Sequence, residues 1–100
     1  MAAREVPDGW VDYARSFGIA LQRQRLRIGL TQEQLAHAAG MTRSHYQQLE
    51  KGASRPGTPA NPSLLTIISL ASALGIEPRE LFDGLADVDV VTGRRQARGA

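Results

Sequence analysis

Hydrophobic residues recur at helical spacing in two long stretches of the chain. Over residues 10–28, apolar side chains fall roughly every third or fourth position, which predicts a helix that ends at Gly29. Over residues 64–74 the segment is apolar around much of its circumference, as in a helix at the centre of a core. The pattern therefore predicts one long helix near the N-terminus and one buried helix in the second half.

Between these stretches, polar caps predict two short helices. Thr31 can cap the first of them, and Gln34 occupies the position that completes a capping box. Leu30 and Leu35 flank this cap at the spacing of a hydrophobic staple. A helix is therefore expected to begin directly after Thr31.

The second short helix repeats this arrangement eleven residues later. Thr42 is the expected cap, with Met41 and Tyr46 as its staple. Gly40 lies between the two helices, where a left-handed residue costs little. Two short helices joined by a glycine turn predict a helix-turn-helix unit.

The rest of the chain is divided by glycine and proline. Residues 52–62 contain two glycines and three prolines and are expected to form a loop. Asn61 is the expected cap of the next helix, with Pro62 at its first position. A last helix is expected to begin at Pro78 and to end near residues 83–84.

These elements predict a compact all-α domain of five helices over residues 10–84. Residues 1–9 are expected to form a flexible tail. Residues 85–100 form an extension in which three valines predict a short strand that pairs with a second chain, followed by a basic tail from Gly93 onward. The valines are Val88, Val90 and Val91.

Composition excludes several classes of protein. The chain has 100 residues, of which 42% are hydrophobic, and no cysteine, so disulfides and thiolate metal sites are excluded. No apolar run reaches the ~20 residues of a membrane span, and the N-terminus lacks the apolar stretch of a signal peptide. A cytoplasmic protein without a membrane partner is expected.

Charge is distributed unevenly along the chain. The net charge is +2, but residues 15–55 hold seven basic and two acidic residues, whereas residues 77–89 hold five acidic residues and one basic residue. This asymmetry is consistent with a polyanion bound at one end, and equally with an ordinary mixed surface.

The segment TQEQLAHAAGMTRSHYQQLEKG, residues 31–52, resembles the DNA-binding unit of the Xre family of phage-repressor-like regulators. The resemblance is carried by Thr-Gln at the first helix start, Leu-Ala within it, Gly at the turn and Leu-Glu-x-Gly at the end. The later run LGIEPRELF also matches a family signature. The resemblance implies a lambda-repressor-like fold, whose loop between third and fourth helices is about six residues longer here.

The resemblance assigns base reading to the helix after Thr42. Arg43, Ser44 and Gln48 match the family's base readers, and Gln47 is a weaker candidate. Arginine can bind guanine O6 and N7, and glutamine can bind adenine N6 and N7, each through paired hydrogen bonds. The alternative is that these are merely exposed polar residues.

Contacts to the phosphate backbone are expected from other residues. The family uses a glutamine at the start of the preceding helix, which here is Gln32, where free backbone N–H groups favour an anion. Further candidates for phosphate binding are Thr42, Lys51 and Arg55.

The resemblance also implies a structural ion pair. Arg25 lies four residues before Gly29, where the family places an arginine that pairs with the glutamate ending the recognition helix, here Glu50. The alternative is that both are solvated surface charges. Breaking a buried pair is expected to cost about 3–5 kcal/mol, because the remaining charge is stranded.

The resemblance implies a sequence-specific regulator of transcription, acting as a homodimeric repressor on palindromic double-stranded DNA, and paired through its last helix and the valine extension. Two alternatives are an antitoxin that also binds a toxin or regulatory protein, and an adaptor that binds an acidic protein. An enzyme is not expected, because no paired carboxylates share a plausible pocket. No cofactor or metal is expected either, since His37 and His45 have no cluster of ligands beside them.

Overall fold

The computed structural model describes residues 6–85 and 89–94. This part of the chain contains four α-helices, a two-stranded antiparallel hairpin between the third and fourth helices, and a short 3-10 turn. The elements are α1 (Trp10–Arg27), α2 (Gln32–Ala38), α3 (Arg43–Lys51), β1 (Ala53–Arg55), β2 (Thr58–Pro59), α4 (Leu64–Leu74) and the 3-10 turn (Pro78–Leu81). None of these helices has the length and apolar character needed to cross a membrane.

Each helical element contributes one fully buried large side chain to a single core. These side chains are Leu21 of α1, Leu35 of α2, Tyr46 of α3, Leu70 of α4 and Leu81 of the 3-10 turn. Removing such apolar surface from water is the dominant favourable term in folding. All five elements therefore contribute to one core, and Tyr46 anchors the inner face of α3 in it.

The two predicted caps of the helix-turn-helix unit are confirmed. The side chain of Thr31 accepts a hydrogen bond from the Gln34 backbone N–H at 3.0 Å, and Gln34 Oε1 accepts from the Thr31 N–H at 2.9 Å. The side chain of Thr42 accepts from the His45 backbone N–H at 3.1 Å. Gly40, in the turn between them, has φ +73°. Local chemistry therefore sets both helix starts.

The prediction of five helices is wrong at the last element. Residues 78–81 form one 3-10 turn instead of an α-helix reaching Asp83, and a capping box links Glu77 to Glu80. The bonds close over three residues, as in the Phe82 N–H to Arg79 carbonyl bond at 3.0 Å. Gly84, at φ +72°, reverses the chain directly afterwards. A segment this short cannot repay the cost of nucleating an α-helix.

The region predicted as a loop contains the hairpin, so the fold is mostly but not wholly helical. Arg55 pairs with Thr58 across Pro56 and Gly57. Gly57 has φ +78°, which suits the second central position of a type II turn after proline.

The predicted cap of α4 is also wrong, by two residues. The side chain of Ser63, and not that of Asn61, accepts a hydrogen bond from a first-turn backbone N–H, that of Thr66, at 3.1 Å. The helix begins at Leu64, so Pro62 precedes it instead of occupying its first turn.

Backbones of α1 and α3 approach each other closely at two glycines. A Cβ at Gly18 would lie 2.4 Å from the Glu50 carbonyl oxygen and 2.6 Å from that of Leu49. A Cβ at Gly52 would lie 2.7 Å from Arg15 Cα. No side chain fits in either place, so α1 is fixed directly against α3.

The two ends of the described chain meet beside α1. The Gly9 N–H donates to the Val90 carbonyl at 2.9 Å. Val90 and Val91 lie in a turn closed by the Asp89 side chain, so the predicted strand is wrong for these two valines. Val88, residues 1–5 of the predicted N-terminal tail and residues 95–100 of the predicted basic tail lie outside the described residues.

Candidate nucleic-acid interface

The outer face of α3 carries the predicted base readers. Arg43 and Ser44 are exposed, and Gln47 and Gln48 are half-buried. The opposite face is occupied by Tyr46 and Leu49, which are buried in the core. Residues three and four apart on a helix are neighbours. The four predicted readers therefore form one polar ridge along α3, which the core holds outward.

Gln32 connects this ridge to the start of α2. Its Nε2 donates to Glu50 Oε1 at 2.9 Å, and its Oε1 accepts from Gln47 Nε2 at 3.2 Å. Because a carboxylate accepts and cannot donate, the Glu50 contact fixes which way round the Gln32 amide lies. Gln47 is consequently tethered by one amide hydrogen, whereas its own oxygen makes no hydrogen bond to the described residues.

Glu50 and Arg25 form the ion pair that the family resemblance implies. Arg25 Nε lies 2.6 Å from Glu50 Oε2, and the two side chains are 9% and 5% exposed. The second guanidinium contact, from Nη2 to Oε1, is 3.2 Å, and Nη1 donates to the Leu30 carbonyl at 2.9 Å. The Tyr46 hydroxyl also donates to Oε2. The pair therefore ties α1 to α3. Among the described residues, no buried polar side-chain atom is left without a hydrogen-bond partner.

This network sets the protonation states of its members. Burial acts to raise the pKa of Glu50, but the hydrogen bonds from Arg25, Tyr46 and Gln32 outweigh burial and hold it below its usual value. The hydrogen bond from Arg25 to Glu50 raises the pKa of Arg25. Burial and the contact with Glu50 raise the pKa of Tyr46. Glu50 is therefore a carboxylate and Tyr46 a neutral phenol at neutral pH.

The predicted phosphate binders lie on three elements around the ridge. Gln32 opens α2, Lys51 ends α3 one helical turn beyond Gln47, and Arg55 ends β1. Lys51 and Arg55 are both exposed. The hydroxyl of Thr42 already accepts its capping bond, although it keeps an O–H to donate.

A second surface, which the sequence did not single out, is exposed and apolar. Leu64, Leu65 and Ile68 of α4, together with Phe82, are exposed by 76%, 75%, 44% and 40% respectively. Leu64 and Phe82 also line a groove of about 240 Å³ whose other wall includes Trp10. We call Leu64, Leu65, Ile68 and Phe82 the apolar face. The sequence did carry a signal for this surface, because α4 contains more apolar residues than its one buried face can accommodate.

Within residues 6–85 and 89–94, no group of three or more histidine, aspartate or glutamate side chains is arranged to hold a metal ion. His37 and His45 are both exposed.

A family model for helix-turn-helix proteins matches residues 21–81, which include α2, the turn and α3. The chain belongs to the helix-turn-helix family. Its helix-turn-helix unit is of the Xre type, and the family consists of DNA-binding transcription regulators and not of enzymes. A relative in Sinorhizobium fredii, the uncharacterized HTH-type transcriptional regulator y4dJ, is 32% identical over 71 residues, which cover 71% of this chain and 84% of y4dJ.

Solved structures of helix-turn-helix regulators share the fold. The restriction-modification controller protein C.AhdI of Aeromonas hydrophila is 43% identical, with a TM-score of 0.62 over 69% of this chain and 96% of C.AhdI. SinR of Bacillus subtilis, solved in complex with DNA, is 22% identical, with a TM-score of 0.57 over 67% of this chain and 98% of the SinR chain in that structure. This helix-turn-helix protein is therefore a transcriptional regulator with a lambda-repressor-like DNA-binding domain.

Proposed function

We propose that this helix-turn-helix protein is a homodimeric repressor that binds a palindromic operator, with α3 of each protomer in the major groove. The observation that carries the proposal is the polar ridge on α3, which is exposed while the opposite face of the helix is buried. Binding at a promoter would exclude other proteins from the same DNA, which is why repression is the proposed outcome.

Base reading on this proposal depends on the first two turns of α3. Arg43 and Ser44 are exposed at the N-terminal end of the helix, the end that helix-turn-helix proteins direct at base edges. Gln48 lies one turn further along the same face. Gln47 differs from these three, because its amide is already tethered to Gln32. We assign Gln47 a reading role through its free oxygen, which suits a base amino group such as adenine N6 or cytosine N4.

Phosphate binding would fix the register of the ridge on the duplex. Gln32 keeps one amide hydrogen for an anion after its bond to Glu50, and Thr42 keeps its hydroxyl proton. Lys51 and Arg55 add positive charge at the other end of α3. Such contacts orient the protein without reading sequence.

Replacing Arg43 with alanine should relax the preference at one base position, at a cost of about 1–3 kcal/mol for the preferred base. Replacing Arg55 with alanine is the matched control, because loss of a phosphate contact should weaken binding to all sequences alike. The measurement is selection of bound duplexes from a random DNA pool by each variant. Identical sequence profiles for the two variants would contradict these roles.

The apolar face supports dimerisation through α4 and the 3-10 turn. A pair of protomers would place two recognition helices about 34 Å apart, as a palindromic site requires. Exposed apolar patches rimmed by polar residues commonly mark protein interfaces.

Replacing Leu65 with glutamate should convert the dimer to a monomer, because an unpaired carboxylate would then be buried at the interface. Gln22→Glu, at an exposed position of α1, is the control and should remain dimeric. Sedimentation equilibrium measures both. A wild-type protein that is monomeric both free and on its operator would show the homodimer proposal to be wrong.

A further inference from the structure

A cleft between α1 and the hairpin contains two basic residues and no acidic residue. Its volume is about 290 Å³, and Arg15 and Lys51 are the charged residues that line it. Both are exposed, and within residues 6–85 and 89–94 neither lies within 4 Å of a carboxylate oxygen. Asp12, one turn before Arg15, is exposed and forms no ion pair with it. The cleft therefore presents two unpaired positive charges.

The position of Arg15 relative to α3 is fixed by contact between backbones. A Cβ at Gly52, the residue that caps α3, would lie 2.7 Å from Arg15 Cα and 3.0 Å from the Ala14 carbonyl oxygen. One turn further along α1, a Cβ at Gly18 would lie 2.4 Å from the Glu50 carbonyl oxygen. With no side chain between the helices, α1 cannot shift away from α3 without losing both contacts.

Arg15 extends the polar ridge of α3 beyond the end of that helix. Arg43, Gln47 and Lys51 are spaced by four residues, so they share one face of α3, about 12 Å long. Arg15 lines the same cleft as Lys51, and its backbone packs against Gly52, the residue that follows Lys51. A DNA strand that contacts Lys51 would therefore reach Arg15 next.

We propose that Arg15 binds the DNA backbone, at the phosphodiester adjacent to the one bound by Lys51. This inference rests on the proposed function, since it requires α3 to lie against a duplex. A guanidinium binds a phosphate through paired, charge-assisted hydrogen bonds. The contact lengthens the footprint of each protomer by one phosphate, and it adds affinity without sequence preference.

The test measures binding of the full chain to two labelled duplexes by fluorescence anisotropy between 50 and 200 mM salt. One duplex is the sequence selected from the random pool, and the other is a scrambled version of it. For Arg15→Ala, the slope of log affinity against log salt should fall by about 0.9 per protomer on both duplexes. The ratio of wild-type to Arg15→Ala affinity should thus be about 3.5-fold smaller per protomer at 200 mM salt than at 50 mM salt. Arg15→Lys should keep the wild-type slope.

Arg23→Ala is the matched control. Arg23 is an exposed arginine of the same helix. At about 100° per residue, it lies about 140° around α1 from Gly18, the position that contacts α3. The salt slope of Arg23→Ala should equal that of wild type.

Equal slopes for wild type, Arg15→Ala and Arg23→Ala, with wild type bound to the selected duplex, would overturn the Arg15 contact and leave the proposed function intact. An equal fall for both variants would also overturn it, because the effect would then be one of general charge. A wild-type protein that binds neither duplex at 50 mM salt would overturn both proposals.

Discussion

Replacing Glu50 with alanine is expected to lower the free energy of unfolding by about 3–5 kcal/mol. The substitution leaves the Arg25 guanidinium buried without its carboxylate, and the side chain of Arg25 is 9% exposed. It also removes the acceptor for the Tyr46 hydroxyl and for the Gln32 amide. Three side chains from three helices, which donate four hydrogen bonds to Glu50, thereby lose their shared acceptor. Urea denaturation followed by circular dichroism measures the loss, and Glu33→Ala, at an exposed position of α2, should change stability by less than about 0.5 kcal/mol.

The pH dependence of stability separates the charge of Glu50 from its packing. Hydrogen bonds hold the pKa of Glu50 below its ordinary value of 4.5 in the folded protein. Its contribution to stability is therefore complete above that ordinary value and is lost as the pH falls through the lower, folded pKa. Wild type should lose this component in acid, and Glu50→Ala should lack it. Parallel acid profiles for the two proteins would show that the ion pair contributes nothing measurable.

Replacing Gly18 with valine is expected to destabilise the fold by about 3 kcal/mol or more, because the new side chain has no space. Its Cβ alone would meet two α3 carbonyl oxygens at 2.4 and 2.6 Å. These are backbone atoms that cannot rotate away, so α1 and α3 would have to separate. The separation would strain the Arg25–Glu50 pair, which joins the same two helices.

Gly18→Ala tests the close approach of α1 and α3 through the sign of its effect on stability. By helix propensity alone, alanine should stabilise the middle of α1 by about 1 kcal/mol. The contact with α3 predicts destabilisation instead. Gln22→Ala, one turn along the exposed side of α1, is the control for propensity and should be nearly neutral. The measurement is thermal unfolding of wild type, Gly18→Ala and Gln22→Ala. An increase in the melting temperature of Gly18→Ala would contradict the close approach of α1 and α3.

Features determined by local chemistry could be predicted from the sequence. Thr31 and Thr42 cap their helices through hydrogen bonds to residues three positions away, so all the necessary information lies within one turn. The helix-turn-helix unit follows from these two caps and Gly40. The ion pair of Arg25 and Glu50 joins distant residues, and only the family resemblance indicated it.

Features determined by packing between elements could not be predicted. Gly18 lies inside a predicted helix, and nothing in the neighbouring sequence reveals that another backbone passes beside it. Asn61 and Ser63 are both good cap residues and lie two positions apart, so cap preference alone does not decide between them. The hairpin did have a local signal, since Pro56-Gly57 is a type II turn sequence, but its strands are too short to show alternation.

Only part of the candidate DNA-binding site could be predicted from the sequence. The polar ridge on α3 follows from the helix period, since Tyr46 and Leu49 must face the core. The tether from Gln47 to Gln32 does not follow, because it depends on the angle between α2 and α3. The neighbourhood of Arg15 and Lys51 depends likewise on the contact between α1 and α3.

The proposed function requires DNA to bind against the outer face of α3. The most direct measurement is the change in backbone amide chemical shifts when the selected duplex is added to the isotope-labelled full chain. We expect the largest changes at Arg43, Ser44, Gln48 and the start of α2, with small changes in α4. Changes concentrated on the apolar face, with the α3 amide shifts unchanged, would show that DNA does not bind through α3.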